Sequence, residues 1–177
     1  LDVICIASTN EDRVISLRSP GYVIDDVAVD SLDPKESEEG TSLALIKGVA
    51  AVLADRGYAV SGFDAFTNSD VLKGSGLSSS AAFEVAIGTM INGLFNQGGI
   101  SAVEIAQVSQ IAENKFFGKP SGLMDQMASS VGGLVAIDFA DSANPVIEPI
   151  AFDFLSCGYT LCIVDTKGNH ADLTPDY

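Results

Sequence analysis

A run of small residues near the middle of the chain has the composition of a phosphate-binding loop. Gly74 and Gly76 allow positive φ angles and a close approach of the backbone to a ligand. Three consecutive serines, Ser78 to Ser80, follow them at the start of a predicted helix. The first amides of a helix lack internal partners, and the helix dipole places partial positive charge there. The run therefore predicts a triphosphate site; the alternative is a loop that only caps the helix.

Two carboxylates downstream of this run are candidates for chemistry. Glu113 and Asp125 lie in largely apolar stretches, where a carboxylate is costly without a cation, a hydrogen bond or a shifted pKa. Glu113 comes late in a predicted helix, where the dipole disfavours a negative charge. Magnesium would compensate it, since this ion takes few protein oxygens and completes its shell with phosphates and water. The alternatives are an exposed Glu113 paired with Lys115 or Lys119, and an Asp125 that stabilises the start of its own helix.

The predicted elements place these residues on or between helices in the middle of the chain, with strands on both sides. This order predicts an α+β fold, in which helices pack on one face of a mixed or antiparallel sheet. The alternating or β-branched runs predict strands over Asp2–Ser8, Arg13–Arg18, Tyr22–Leu32, Val60–Asp70, Leu134–Asp138, Val146–Phe152 and Tyr159–Asp165. Caps and apolar periodicity predict helices from Thr41 or Ser42 to Gly57, and over Ala81–Phe95, Ser101–Phe117 and Leu123–Ser130. The acidic stretch Asp33–Glu39 is predicted to be a solvated loop.

The charge balance excludes one class of partner. The 177 residues include 9 Lys and Arg against 24 Asp and Glu, for a formal net charge of −15. Such a surface repels phosphate backbones, so nucleic acid is not an expected partner. Any nucleotide site must then rely on local amide dipoles and a divalent cation. The chain has the size of one domain, and no apolar run is long enough to predict a membrane span.

The three cysteines are not predicted to form a disulfide framework or a zinc site. Cys5, Cys157 and Cys162 lie in apolar runs without a Cys-x-x-Cys pair, which is typical of buried free thiols in a reducing cytosol. A cytoplasmic location is therefore predicted. His170, the only histidine, has no cluster of ligands near it in the sequence and is predicted to be a plain loop residue.

Two segments resemble motifs of the GHMP kinases, the family that includes galactokinase, homoserine kinase and mevalonate kinase. Gly74–Ala82 resembles the motif P-x-G-x-G-L-S-S-S-A-A, with Leu72 or Lys73 in place of the proline. Ala112–Gln126 resembles the galactokinase run A-E-x-x-F-x-G-x-P-C-G-x-M-D-Q, with Ser121 in place of the cysteine. The resemblance implies the fold of the GHMP-kinase N-terminal domain, which is ribosomal protein S5 domain 2-like.

The resemblance also implies roles for individual residues. It implies that Ser79 or Ser80 ligates Mg²⁺ together with Glu113. It implies that Asp125 contacts the sugar hydroxyl that is phosphorylated and is its proposed catalytic base, and that Tyr177 lies near the sugar. The residues implied to bind the phosphates of ATP are Lys73, Gly74, Ser75, Gly76, Leu77, Ser78, Ser79 and Ser80.

The activity implied is ATP-dependent phosphorylation of galactose at its anomeric hydroxyl. The alternatives are a non-catalytic sensor of galactose and ATP, another small-molecule kinase of the family, and a piece that folds without binding anything. Residues 1–177 are expected to form the N-terminal domain without the G-R-T-E…D-H signature that precedes it in galactokinases. The C-terminal domain that follows in the family is also expected to lie outside this sequence, so this chain alone is expected to be inactive.

Overall fold

The computed structural model describes residues 2–71, 76–141 and 143–164. Its strands are β1 (Val3–Thr9), β2 (Val14–Arg18), β3 (Val27–Ala28), β4 (Phe63–Ser69), β5 (Val135–Asp138) and β6 (Val146–Pro149). Its helices are α1 (Ser42–Asp55), α2 (Ser79–Phe95), α3 (Ala102–Ala112) and α4 (Met124–Val131). A 3₁₀ turn spans Glu36–Glu38, and a π-helical turn, Glu113–Phe117, follows α3 directly.

A mixed four-stranded sheet packs with one face against the helices. Its strand order is β1-β4-β2-β3, with β2 and β4 parallel and the two other pairs antiparallel. Side chains alternate along the strands, so Leu17 and Phe63 are buried under the helices while Ile6 and Phe66 are exposed on the other face. The strands β5 and β6 form a separate antiparallel pair. The predicted α+β class and the mixed sheet with helices on one face are confirmed.

Helices α1, α2 and α3 pack together over the sheet. The N-terminal caps are local: Thr41 accepts a hydrogen bond from the amide of Ala44, and Ser101 accepts one from the amide of Glu104. A smaller apolar cluster lies at the far side of α3, where Ala106, Leu123 and Met127 are buried. The half-buried side chains of the β5–β6 pair pack against this cluster; they include Ile137 and Ile147.

The structure corrects several predicted strands. The strand predicted over Tyr22–Leu32 is reduced to the two residues of β3, since charged side chains occupy this stretch and the Asp26 carboxylate accepts hydrogen bonds from Ser16 and Arg18. The strand Val146–Phe152 ends at Pro149. Residues 159–164 form no strand and are exposed, because no described strand pairs with them.

Three other predictions need correction. The helix predicted over Ser101–Phe117 ends as an α-helix at Ala112 and continues as the π-helical turn. The acidic stretch 33–39 is not wholly solvated, because Glu38 forms an ion pair of 2.7 Å with the buried Lys47 of α1. Of the cysteines, which are free, Cys157 and Cys162 are exposed and only Cys5 is half-buried. Burial raises the pKa of the Cys5 thiol.

Candidate active site

The helix α2 begins in an unusual backbone conformation at the serine run. Ser78 has φ 58° and ψ 48°, a left-handed conformation that is uncommon for residues other than glycine. Its side chain makes no capping hydrogen bond to the helix. The serine run is therefore not an ordinary cap, and the strained backbone favours a functional reason for its shape.

Glu113 is buried beside this helix start, with 2% of its surface exposed. The hydroxyl of Ser80 donates a hydrogen bond of 2.9 Å to Glu113 Oε1, and Lys119 Nζ lies 3.2 Å from the same oxygen. The amide Nε2 of Gln126 donates a bond of 2.6 Å to the other oxygen, Oε2. The structure therefore brings together Ser80 and Glu113, which are 33 residues apart in the chain.

The π-helical turn explains how Glu113 reaches this position. Glu113 is its first residue, and a π-helical turn widens the helix, as often occurs at functional sites. Gly118 ends the turn in a left-handed conformation with φ 80°. The backbone carbonyl of Glu113 accepts from the amides of Gly118 and Lys119, so the chain folds back and Lys119 contacts the Glu113 carboxylate. The alternative of an exposed Glu113 is therefore wrong, although Lys119 does pair with it.

Glu84, a residue not predicted from the sequence, lies fully buried next to this group. It follows Ser80 by one helical turn, and its Oε2 is 3.4 Å from Gln126 Nε2. Burial, and secondarily the negative charge of Glu113, raise the pKa of Glu84 to about 9. The hydrogen bond from Gln126 and the charge of Lys119 act in the opposite direction. Glu84 is the only charged residue in the helix α2, and this was the signal available in the sequence.

Asp125 is placed differently from Glu113. It is exposed in the first turn of α4, next to the buried Gln126. No hydrogen bond joins it to Ser80 or Glu113 within the described part of the chain. An exposed carboxylate there can reach a substrate, and the same position also suits a charge that stabilises the helix start. Both interpretations made from the sequence are therefore compatible with its position.

A cleft of about 200 Å³ opens next to the helix start. Ser79 and Ser80 line it on one side, and the aromatic rings of Tyr22, Phe83 and Phe117 contribute to its walls. Polar side chains such as Ser42, Thr67 and Asn68 also line the cleft, so its walls are both polar and apolar. Concave sites in which polar groups converge are typical of small-ligand binding. The cleft therefore offers space for a flat ring beside the hydroxyls and amides of the serine run.

The donor set around Glu113 suits magnesium better than zinc or another softer ion. Among the described residues, no group of three or more His, Cys, Asp and Glu side chains could hold a metal ion. One carboxylate and one serine hydroxyl are in contact here, and both are oxygen donors. Mg²⁺ is commonly held by one or two protein oxygens and completed by phosphates and water, so these residues fit it.

Several predicted site residues lie outside the described residues. They are Lys73, Gly74 and Ser75 of the predicted phosphate loop, together with Tyr177; His170 lies outside as well. In the described part of the chain, Gly76 has φ +76°, which is a conformation that favours glycine. No helix in the described part combines the length and apolarity required to cross a membrane.

Comparison with known families agrees with this fold. The family model described as the GHMP kinases N terminal domain matches residues 44–133, just over half of the chain. The chain therefore belongs to the GHMP kinase family, as the two sequence motifs predicted.

Curated galactokinases are among its relatives. The galactokinase of Streptomyces coelicolor is 31% identical over 174 residues, which is 98% of this chain and 45% of that protein. The galactokinase of Clostridium tetani is 46% identical over 86 residues, which is 49% of this chain and 22% of that protein. The crystal structure of Lactococcus lactis galactokinase complexed with galactose has a TM-score of 0.73 and 26% identity, covering 86% of this chain and 40% of that one. The chain spans less than half the length of each of these proteins.

Proposed function

We propose that this chain is part of a galactokinase, which transfers the γ-phosphoryl group of ATP to the anomeric hydroxyl of galactose. The observation that carries the proposal is the contact between Ser80, at the start of α2, and the buried Glu113. The similarity to galactokinase over 98% of the chain supports galactose as the acceptor. The rest of the enzyme, including further contacts to the sugar, is proposed to come from segments outside this sequence.

The start of α2 would hold the phosphates. Its first backbone amides have no intrahelical partner and carry the positive end of the dipole, which compensates for the acidic surface of the chain. The base of the nucleotide would occupy the cleft that Phe83 and Phe117 help to line. The residues proposed to contact the phosphates are Lys73, Gly74, Ser75, Gly76, Leu77, Ser78, Ser79 and Ser80.

Glu113 with Ser80 or Ser79 would hold Mg²⁺, which supplies neutralisation of the charge on the phosphates when it is bound. In the reaction, the bond between the γ-phosphorus and its bridging oxygen breaks while a bond to the sugar oxygen forms. Asp125 would accept a hydrogen bond from the sugar hydroxyl, orient it and take its proton late in the transfer. Phosphoryl transfer depends mainly on such positioning and charge neutralisation.

The role of Asp125 can be tested in the full-length protein with Asp125→Asn, which keeps the shape of the side chain and removes its charge. We expect the rate of galactose 1-phosphate formation to fall on the order of 10²–10⁴-fold, while the KM for ATP changes little. Phosphorus NMR of the product and galactose-dependent ADP release measure this. Asp55→Asn, at an exposed helix end, is the control and should retain the wild-type rate.

Two outcomes would contradict the proposal at different levels. Wild-type turnover in Asp125→Asn would remove this residue from catalysis while leaving the activity in place. If the wild-type protein released no ADP with galactose but did so with another acceptor, the substrate would be wrong and the kinase class would stand.

A further inference from the structure

We propose that Glu84 and Gln126 are positioning residues, which hold the Glu113 carboxylate so that a cation can approach only its Oε1 oxygen. This inference rests on the proposed magnesium site and adds to it two residues that do not themselves touch the cation or the phosphates. Glu84 and Gln126 are buried polar residues that take no direct part in the phosphoryl transfer.

The two oxygens of Glu113 have different surroundings. Oε1 accepts from Ser80 at the helix start and contacts Lys119, whose side chain is 42% exposed. Oε2 accepts from Gln126 Nε2 at 2.6 Å, and Gln126 is fully buried. A short hydrogen bond from a buried amide to a carboxylate is strong and directional. Oε2 therefore accepts a hydrogen bond from a buried side chain, whereas Oε1 faces the serine run.

The side chain of Gln126 also contacts a residue of α2. Its Nε2 lies 3.4 Å from Glu84 Oε2, and Glu84 is fully buried. Ser80 and Glu84 are four residues apart and therefore lie on the same face of α2. One helix thus contributes Ser80, which contacts one oxygen of Glu113, and Glu84, which supports the amide on the other oxygen.

Stability alone does not account for this arrangement. Oε1 of Glu84 and Oε1 of Gln126 are buried and have no hydrogen-bond partner among the described residues. Unpaired buried polar atoms are costly, and well-packed apolar residues commonly replace such groups without loss of stability. The raised pKa of Glu84 means that it adds no second negative charge beside Glu113 at neutral pH. A neutral carboxyl is a suitable support for an amide that must be fixed in orientation.

The test uses the full-length protein with Gln126→Leu and Glu84→Leu, which remove the supporting groups, and Glu84→Gln, which keeps a neutral hydrogen-bonding side chain. Calorimetric titration with Mg²⁺ and ATP measures metal-dependent nucleotide binding without turnover, and thermal unfolding reports stability. We expect the Mg²⁺ concentration for half-saturation to rise about 10–100-fold in Gln126→Leu, as for other groups that orient metal ligands. Glu84→Leu should show a smaller rise, and Glu84→Gln should remain within about twofold of wild type.

The outcomes separate positioning from a general structural role. A selective rise in the Mg²⁺ requirement, with the unfolding temperature and the KM for galactose unchanged, supports the proposal. Wild-type Mg²⁺ dependence in both leucine variants overturns it. If Gln126→Leu does not fold, Gln126→Asn replaces it, because the shortened amide cannot reach Glu113 Oε2 and should give the same rise.

The proposed function can fail independently. A wild-type protein that binds Mg²⁺ and ATP but does not phosphorylate galactose would contradict the function and still allow the binding comparison. A wild-type protein that shows no metal-dependent ATP binding would overturn both.

Discussion

Glu84 makes the stability of the chain depend on pH. Its pKa in the folded chain is about 9, well above the ordinary value for glutamate, so the folded state binds a proton that the unfolded state has released. This stabilisation is complete below the unfolded pKa of about 4.3 and is lost as pH rises towards the folded pKa. The groups that influence Glu84 are Glu113, Gln126 and Lys119, and they belong to three different segments.

We therefore expect the metal-free chain to lose stability between about pH 4.3 and about pH 9, with a slope of up to about 1.4 kcal/mol per pH unit. Glu84→Gln removes the titrating group and should flatten this slope. Chemical denaturation at several pH values in the presence of a chelator measures it. Glu148→Gln, at an exposed position of β6, should keep the wild-type slope. Parallel slopes for wild type and Glu84→Gln would contradict the prediction.

At the scale of residues, the sequence was informative where a motif concentrates unusual residue types. The sequence indicates the serine run and Glu113 in this way, and the structure places Ser80 in contact with Glu113. Glu84 and Gln126 were not recognised as a pair, because their relation depends on how α4 packs against α2 and not on spacing along the chain. The sequence predicts apolar surroundings for Asp125, yet the residue is exposed, because α4 turns the neighbouring Gln126 inward instead.

At the scale of elements, prediction succeeded where the signal is local. The start of α1 at Thr41 and the start of α3 at Ser101 follow from side chains that cap the adjacent backbone. The extents of β3 and β6 were overestimated, because a strand exists only where a partner lies in register. The π-helical turn at Glu113–Phe117 was missed, since its sequence continues an ordinary helical pattern.

The packing of α1 against α3 depends on a glycine. A Cβ atom at Gly48 would lie 2.7 Å from Ala112 Cβ and 2.9 Å from its Cα, closer than atoms of a packed core can approach. We expect Gly48→Ala to separate the helices and to cost about 1–3 kcal/mol of unfolding free energy. Because Ala112 precedes Glu113 directly, the substitution should also weaken metal-dependent ATP binding.

Gly93→Ala is the matched control for this prediction, since nothing lies within 4 Å of a Cβ at that helical position. It should stabilise the chain by roughly 0.5–1 kcal/mol, because alanine loses less conformational freedom in a helix than glycine does. Denaturant unfolding compares the two variants with wild type. If the two substitutions changed the unfolding free energy equally, Gly48 would not be required for the close approach of α1 and α3.

At the scale of the whole molecule, apolar surface is distributed unevenly. The sheet and the helices share one continuous core, whereas residues 151–164 are exposed throughout. That segment nevertheless contains large apolar side chains; Leu155, Leu161 and Val164 are 74%, 75% and 80% exposed. Contiguous exposed apolar residues commonly mark a surface that another protein segment covers. The sequence predicts a strand over Tyr159–Asp165 because the apolar pattern of a strand is present. No described strand pairs with residues 159–164.

Truncation can separate the contribution of residues 151–164 to stability from the contribution of the β5–β6 pair. A chain that ends at residue 150 should have the same unfolding temperature as one that ends at residue 164, within about 2 °C, because the removed residues are exposed. It should also bind less of a dye specific for apolar surface.

A chain that ends at residue 133 loses the side chains that cover Leu123 and Met127, including Ile137 and Ile147, so we expect it to be less stable by at least about 2 kcal/mol. Calorimetry of the three chains measures these differences. A lower unfolding temperature for the chain that ends at 150 would show that residues 151–164 pack against the core in solution, and their exposed apolar side chains would then need no further partner.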